Sequence, residues 1–285
     1  MRVGLHLILI MVLVLGTSAC GVRLAYHHLD WLAMRWVNDQ VSLDRVQEMT
    51  FRDALESKLD WHCHSELPRY VSFLDSAIVT LQAEAVSVGQ IESLGEEAAV
   101  FGQRLLDRAM PSVVDLFASF DAAQVEEILA GIDERNKEFL EERIEADLAQ
   151  RRRERVEGMQ DRLKRFIGST SDAQDERLKE WADSLLDVAP RMHRLQSQWR
   201  DKLALLLESR QQSDDFGPAL VELFQPAGDW PNDFRALMAV NRQRTLALLV
   251  DLHAMLSGRQ QRRLISRLES LRRDFDRLSC RQDAA

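Results

Sequence analysis

Residues 120–140, FDAAQVEEILAGIDERNKEFL, contain the pattern that decides the fold class. Asp121 stands three residues before Gln124, which is the spacing of a capping box. In that motif the two side chains bond to each other's backbone N–H groups at the start of a helix. Apolar residues then recur every three or four positions, as on one face of a helix, and no proline interrupts them before Gly168. We therefore predict one long helix near 121–167, roughly 70 Å in length at about 1.5 Å per residue.

The same arrangement, a short polar residue three positions before a glutamine, recurs along the chain. These spacings predict helix caps that each stabilise by about 1 kcal/mol, at Asp44 and Gln47, Ser87 and Gln90, Ser171 and Gln174, and Ser257 and Gln260. The spacing also occurs at Asp147 and Gln150 and at Ser279 and Gln282, where we expect no helix to begin. We therefore attribute the recurrence to common capping preferences rather than to internal repetition.

The rest of the chain has the same helical character. It contains only 12 Gly and 6 Pro, with 29% charged and 46% hydrophobic residues, a composition typical of long solvated helices with one apolar face. The apolar periodicity predicts an all-α fold, an elongated bundle of about eight or nine helices. Pro111 and Pro190 should kink or split two of them. The segment 225–231, QPAGDWP, is richest in helix breakers and is a candidate internal joint.

The amino-terminal residues have the pattern of a bacterial lipoprotein signal peptide. The apolar run at 7–15 is too short for a membrane span, which needs about 20 residues, and GTSAC follows at 16–20. We predict cleavage before Cys20, whose thiol would carry diacylglycerol and whose new amine would carry a fatty acid such as palmitate. Two or more acyl chains hold a protein stably at a bilayer. The alternative is an ordinary signal peptidase, which Thr17 and Ala19 also suit, and a soluble secreted protein.

This prediction divides the chain into a lipoprotein signal peptide, 1–19, and a lipid-anchored periplasmic helical domain, 20–285. Gly21 follows the lipidated cysteine, where an aspartate would favour the inner membrane, so we expect the periplasmic face of the outer membrane. The formal net charge of −9 excludes a broad nucleic-acid-binding surface. The predicted partners are the membrane, through the lipid, and an envelope protein. No small-molecule substrate is predicted, and no cofactor other than the covalent lipid on Cys20.

Two cysteines remain once the lipidated residue is set aside. Cys63 and Cys280 could form one disulfide in an oxidising compartment, and two buried free thiols are the alternative. Cys63 is flanked by His62 and His64, and imidazole and thiolate are good zinc and copper ligands. These side chains would need a further ligand on the same face of the helix, and that face exists only if the helix continues through Pro68. Proline disfavours the helical conformation of the residue before it. We therefore expect a helix end here and no metal site.

Several aromatic residues follow the predicted anchor closely. Tyr26, Trp31 and Trp36 are residues of the kind that favour the membrane–water interface. Alternatively, Leu24, Trp31, Leu32 and Trp36 form the buried side of the first helix. We favour this core interpretation.

A basic run, RRRER, occupies 151–155. It could contact anionic lipid headgroups or lipopolysaccharide phosphates. We favour a solvated helix face, whose arginines would pair with acids about one turn away, at Glu145, Asp147 and Glu157.

The chain has no recognisable catalytic constellation. It lacks a Gly-x-Ser-x-Gly elbow, a glycine-rich phosphate loop and a His-Glu-x-x-His metal helix. We predict no catalytic residues and a protein that is not an enzyme, with an unrecognised envelope hydrolase as an alternative.

Nearly the whole chain after the signal resembles a family of proteobacterial lipoproteins that carry a domain of unknown function. The resemblance is carried by Cys20, VRLAY at 22–26, LDWL at 29–32, Trp61-His62, and Glu66-Leu67-Pro68-x-Tyr70. It implies a lipid-anchored helical protein with no assigned activity. The family pattern has asparagine where this chain has His27-His28, so those histidines are not taken as functional.

The helix starts are also similar to the Leu-Thr-x-x-Gln repeats of small periplasmic envelope-stress chaperones. None of the five predicted starts here has Leu-Thr. Our expectation is therefore a non-catalytic binding or structural role. The alternative is a periplasmic chaperone or envelope-stress module that binds unfolded chains.

Overall fold

The computed structural model of the protein describes residues 19–225 and 230–280, with side chains from residue 23 onwards. All regular structure in these two ranges is helical, so the predicted all-α class is confirmed there. The predicted signal peptide up to residue 18, the Cys20 side chain and residues 226–229 of the candidate joint lie outside the described residues. No helix in the described ranges is both long and apolar enough to cross a bilayer.

The helices are numbered here in chain order. The first are α1 Ala19–His27, α2 Leu29–Asn38, α3 Arg45–Trp61, the π-helical turn π1 His62–Glu66, α4 Leu67–Gln82, α5 Val88–Ala118 and α6 Ala122–Leu140. A second π-helical turn, π2 Glu141–Glu145, precedes α7 Leu148–Phe166, α8 Asp172–Ser184, α9 Ala189–Glu208, α10 Phe216–Phe224, α11 Asn232–Ala254 and α12 Gly258–Leu278. The described residues thus form more helices than the eight or nine expected, because several predicted segments divide.

The long helix predicted near 121–167 is wrong. The chain leaves the helical path after π2, because Ala146 and Asp147 both take extended backbone angles, with ψ of 145° and 141°. The Asp147 side chain then accepts the backbone N–H of Gln150 at 3.3 Å and caps α7. The spacing at Asp147 therefore marks a helix start after all. Apolar residues recur at helical spacing within each flanking helix, and no glycine or proline lies between them, so local spacing does not reveal the break.

The two prolines expected to disturb helices behave differently. Pro190 lies in the first turn of α9, where its missing N–H costs no helical hydrogen bond. The segment predicted there is split into α8 and α9. Pro111 lies inside α5, which continues from Val88 to Ala118.

Helices α4 and α12 form the most extensive helix pair of the described residues. Tyr70 and Leu74 of α4 and Leu271 and Phe275 of α12 are buried in one apolar cluster. Helix α1 also packs on α12, and its Tyr26 side chain contacts the same cluster. The first and last helices described are therefore neighbours.

Three other apolar clusters hold the remaining helices. They centre on Leu203, Leu207 and Leu220 of α9 and α10, on Leu178 and Leu248 of α8 and α11, and on Val37, Val41 and Phe120 near α2. The five leucines named here have at most 1% of their surface exposed. These clusters fix the positions of the loops in which the helix caps lie.

Candidate functional site

Gln47 and Gln124 join two helix starts through one buried contact. Each side-chain oxygen accepts the backbone N–H of its own cap residue, Asp44 or Asp121, at 3.0 Å. The two side-chain amides also bond to each other, with Nε2–Oε1 distances of 3.0 and 2.6 Å. Both glutamines are buried. A single amide pair therefore completes two capping boxes and links α3 to α6.

The amide nitrogen of each glutamine donates a second hydrogen bond, and its acceptor occupies the equivalent position in both cases. Gln47 Nε2 donates to the carbonyl of Ser119 at 3.0 Å, and Gln124 Nε2 donates to the carbonyl of Ser42 at 2.7 Å. Ser119 and Ser42 each stand two residues before the cap residue of the opposite helix. Each glutamine therefore makes the same set of hydrogen bonds to the opposite helix start.

Gln174 and Gln260 repeat this geometry at the starts of α8 and α12. Each accepts the N–H of its own cap residue at 3.0 Å, and the amides bond to each other at 3.3 and 2.9 Å. Their nitrogens also donate to the carbonyls of Met255 and Ser169, at 3.3 and 3.0 Å, again two residues before the opposite cap. Common capping preferences explain the individual boxes but do not explain this paired arrangement.

The box at Ser87 and Gln90 is different. It is exposed, and the Gln90 oxygen accepts both the backbone N–H and the hydroxyl of Ser87, at 2.8 and 3.0 Å. No contact with a second box is seen for it within the described residues. It therefore serves as a natural reference for a capping box without a partner.

Cys63 and Cys280 are brought to disulfide distance. Their Sγ atoms lie 2.12 Å apart across a sequence separation of 217 residues, and the backbone N–H of Cys280 donates to the Cys63 carbonyl at 3.2 Å. The alternative of two separate buried thiols does not describe this geometry. The bond ties the end of α12 to π1, beside the α4–α12 contact.

The ligand atoms of Cys63, His64 and Cys280 lie within 4.8 Å of one another. Zinc and copper bind cysteine as the thiolate, and both sulfurs here are shared in the disulfide. His62, the other histidine of the motif, instead has its Nδ1 3.1 Å from the Tyr26 hydroxyl. In the oxidised protein the motif is therefore a covalent link between helices.

An ion pair between a buried carboxylate and a partly exposed guanidinium lies next to the disulfide. Glu66, at the end of π1, has no exposed surface. Arg104 of α5 donates to it through Nε, at 3.0 and 3.1 Å from its two oxygens, and through Nη2 at 2.6 Å. The paired carboxylate joins π1 to α5. The sequence gives a partial signal for Glu66, which belongs to the Glu-Leu-Pro-x-Tyr motif, and none for Arg104.

Aromatic and imidazole groups surround this ion pair. Burial lowers the pKa of His62 to about 4, an effect that the nearby Glu66 carboxylate partly opposes. Burial also raises the pKa of Tyr26 to about 12 and raises that of Tyr70, with a further contribution from Glu66. The Tyr70 hydroxyl is buried without a hydrogen-bond partner among the described residues. At neutral pH the cluster therefore holds a neutral imidazole and two neutral phenols around one paired carboxylate.

The aromatic residues of α1 and α2 do not form the buried face that we expected. Leu24, Trp31, Leu32 and Trp36 are 62%, 56%, 40% and 41% exposed. Val37 is the buried residue of α2, and it lies on the opposite side of the helix. The first helices pack through Tyr26 and Val37 instead. We refer to Leu24, Trp31, Leu32 and Trp36 as the N-terminal face.

The arginine run at 151–155 is not a freely solvated face. Arg151 Nη1 lies 2.9 Å from Asp187, and Arg152 Nε lies 3.2 Å from Asp183. Both acids come from the region where α8 ends, rather than from the acids one turn away that we expected. Arg151 also donates to the Arg143 carbonyl at 2.8 Å. The run therefore helps to hold α7 against α8.

The comparisons with known proteins identify a family without an assigned activity. No curated protein and no solved structure matches the chain. A family model described as a family of unknown function, DUF6279, matches residues 39–235. This range includes π1, the Glu66–Arg104 ion pair and both boxes of the first capping pair. The chain thus belongs to the DUF6279 family, whose function is unknown.

Proposed function

We propose that the protein is a lipoprotein anchored through Cys20 at the periplasmic face of the outer membrane, with a structural or binding role rather than a catalytic one. The apolar run at 7–15 and the GTSAC sequence at 16–20 support the anchor. The paired capping boxes, the disulfide and the Glu66–Arg104 ion pair support a rigid helical body.

One observation carries this proposal. Helix α1 contains Cys20 and packs on α12, and its Tyr26 hydroxyl is 3.1 Å from Nδ1 of His62 in π1. The disulfide ties that same turn to the end of α12. A lipid on Cys20 would therefore be attached directly to the body, without a flexible linker. Such a body stays close to the bilayer, as suits a protein that binds other envelope components there.

Binding of unfolded chains is a second candidate function. The exposure of Val46 and Met49, next to the first capping pair, supports it, as does the similarity of the boxes to Leu-Thr-x-x-Gln repeats. All 11 phenylalanines lie in the described residues, however, and none is exposed. A surface that receives unfolded chains would need more apolar area than isolated Val and Met side chains supply. We therefore favour a scaffold or binding protein.

Acyl labelling in cells tests the anchor. The wild-type protein should incorporate labelled palmitate and partition into the detergent phase, and Cys20→Ala should lose both properties. The variant Cys63→Ala/Cys280→Ala is the matched control, because it removes the other two cysteines and should keep the label. An unlabelled wild-type protein with a free Cys20 thiol, found in the aqueous phase, would contradict the proposal.

Crosslinking in intact cells tests the binding role. Partners that are captured by the wild type and lost in Cys20→Ala, at equal protein levels, are those that the anchor brings within reach. Recovery of many unrelated unfolded proteins would favour the chaperone alternative instead. Recovery of no envelope protein would argue against a binding role.

A further inference from the structure

We propose that the N-terminal face lies in the interfacial layer of the bilayer, so that α1 and α2 rest along the membrane surface. The inference rests on the proposed function, because the lipid on Cys20 brings these helices to the membrane. It adds a second contact with lipid, made by side chains. The occupant of the face is then a phospholipid surface rather than a protein.

The distribution of tryptophan is the first observation behind this inference. All six tryptophans lie in the described residues, and only Trp31 and Trp36 are exposed. Tryptophan favours the interface because its ring suits the apolar layer and its N–H suits the headgroups. Of the 12 large apolar side chains that are exposed in the described ranges, four belong to the N-terminal face, between residues 24 and 36. Exposed apolar surface is therefore concentrated in these two helices.

The geometry of α2 places Trp31, Leu32 and Trp36 on one side of that helix. Leu32 and Trp36 are four residues apart, as are Trp31 and Arg35, and pairs at this spacing are neighbours on a helix surface. The Arg35 guanidinium lies over the Trp31 ring, 5.6 Å from its centre. An arginine beside an interfacial tryptophan is well placed to bind a lipid phosphate. The opposite side of α2 is already occupied, since Val37 packs in the cluster with Phe120.

Position and charge identify lipid as the occupant. Leu24 is four residues after Cys20, about one helical turn, so the face begins where the acyl chains would enter the bilayer. Residues 23–38 carry two arginines and one aspartate, whereas the whole protein has a formal net charge of −9. An acidic body is repelled by anionic headgroups, and this short segment is not. The membrane contact is therefore expected here rather than elsewhere on the surface.

Tryptophan quenching tests the face in the intact lipidated protein. The protein is reconstituted in vesicles of phosphatidylethanolamine and phosphatidylglycerol, some of which carry bromine on their acyl chains. Bromine quenches only tryptophans that reach the bilayer, so wild-type emission should fall and the emission of Trp31→Phe/Trp36→Phe should not. The matched control is Trp199→Phe/Trp230→Phe, which also removes two of the six tryptophans and should keep the quenching. Equal far-UV circular dichroism of the three proteins shows that each is folded.

The outcomes separate this inference from the anchor. The mass of the amino-terminal peptide shows acylation independently. An acylated protein whose quenching is absent, or is unchanged in Trp31→Phe/Trp36→Phe, overturns the face and leaves the anchor in place. An unacylated peptide overturns the anchor, and the quenching pattern then decides the face alone. Sedimentation in detergent that shows two copies of the wild type and one copy of Trp31→Phe/Trp36→Phe would make the face a self-association surface and overturn the inference.

Discussion

The side chains of Gln47 and Gln124 exchange two hydrogen bonds across helices that are far apart in sequence, at 3.0 and 2.6 Å. Each glutamine also completes the cap of its own helix. The amides are buried, so water cannot replace a lost partner. This pair, together with Gln174 and Gln260, turns a local capping motif into a tertiary contact.

Gln124→Ala should therefore destabilise the protein by about 2–4 kcal/mol, the sum of a lost cap and of stranded buried groups. Gln90→Ala, in the exposed and unpaired box, should cost only about 1 kcal/mol. Urea unfolding gives both values. Gln47→Ala/Gln124→Ala should cost less than the two single changes together, because each single change removes the same contact. Strict additivity would show that the amides act independently.

The disulfide should account for about 2–5 kcal/mol of stability. Cys63→Ala/Cys280→Ala should unfold at lower urea concentration than the wild type, and reductant should then have no further effect on it. The wild type should become less stable when reductant is added. Thiol titration of the denatured, unreduced protein should find neither residue free. Two titratable thiols at Cys63 and Cys280 would contradict the bridge.

Acid should destabilise the protein through His62. Its pKa is about 4 in the folded protein and about 6.5 in the unfolded chain, so between these values the unfolded chain binds more protons. The free energy of unfolding therefore decreases as the pH falls from 6.5 to 4, by at most about 1.4 kcal/mol per pH unit from this group. His62→Gln should remove this contribution. The difference between the two proteins should be constant above pH 7 and shift in favour of His62→Gln on acidification. A difference that stays constant down to pH 4 would show that burial does not lower the pKa of His62.

The break before α7 gives a prediction that a continuous rod does not. Leu148 is the first residue of α7, and Asp147 before it has the extended conformation that a residue preceding proline prefers. Leu148→Pro should therefore change stability by about 1 kcal/mol or less. Val156→Pro, inside the same helix, should cost about 3 kcal/mol or more. Thermal unfolding followed by circular dichroism compares them, and a large loss for Leu148→Pro would restore the continuous helix.

Local signals in the sequence were sufficient for part of the fold. The five predicted boxes all occur, because a short polar residue and a glutamine at this spacing satisfy backbone groups within one turn. The break at Ala146 was missed because each flanking helix has apolar residues at helical spacing and no glycine or proline separates the two. The cap signal at Asp147 was present and was set aside for that reason.

Contacts between distant residues were beyond the sequence pattern. Nothing local indicates that Gln47 meets Gln124, or that Arg104 pairs with Glu66. The N-terminal face was predicted to be buried and is exposed. Apolar spacing identifies which residues share one side of a helix, but it does not show whether that side contacts protein or solvent. Whether Trp31 and Trp36 are exposed depends on tertiary packing. They are exposed because α2 packs through Val37 on its other side.

Because α4 packs against α12, its apolar face cannot be buried until α12 has been synthesised. Helix α4 is synthesised before α12, so Tyr70 and Leu74 emerge before the α12 residues against which they pack. A disulfide that Cys63 forms with another thiol first must be exchanged before the bond to Cys280 can form. Translation products that end before Gly258 lack α12, so they should expose this apolar surface and be degraded more readily than the wild-type protein.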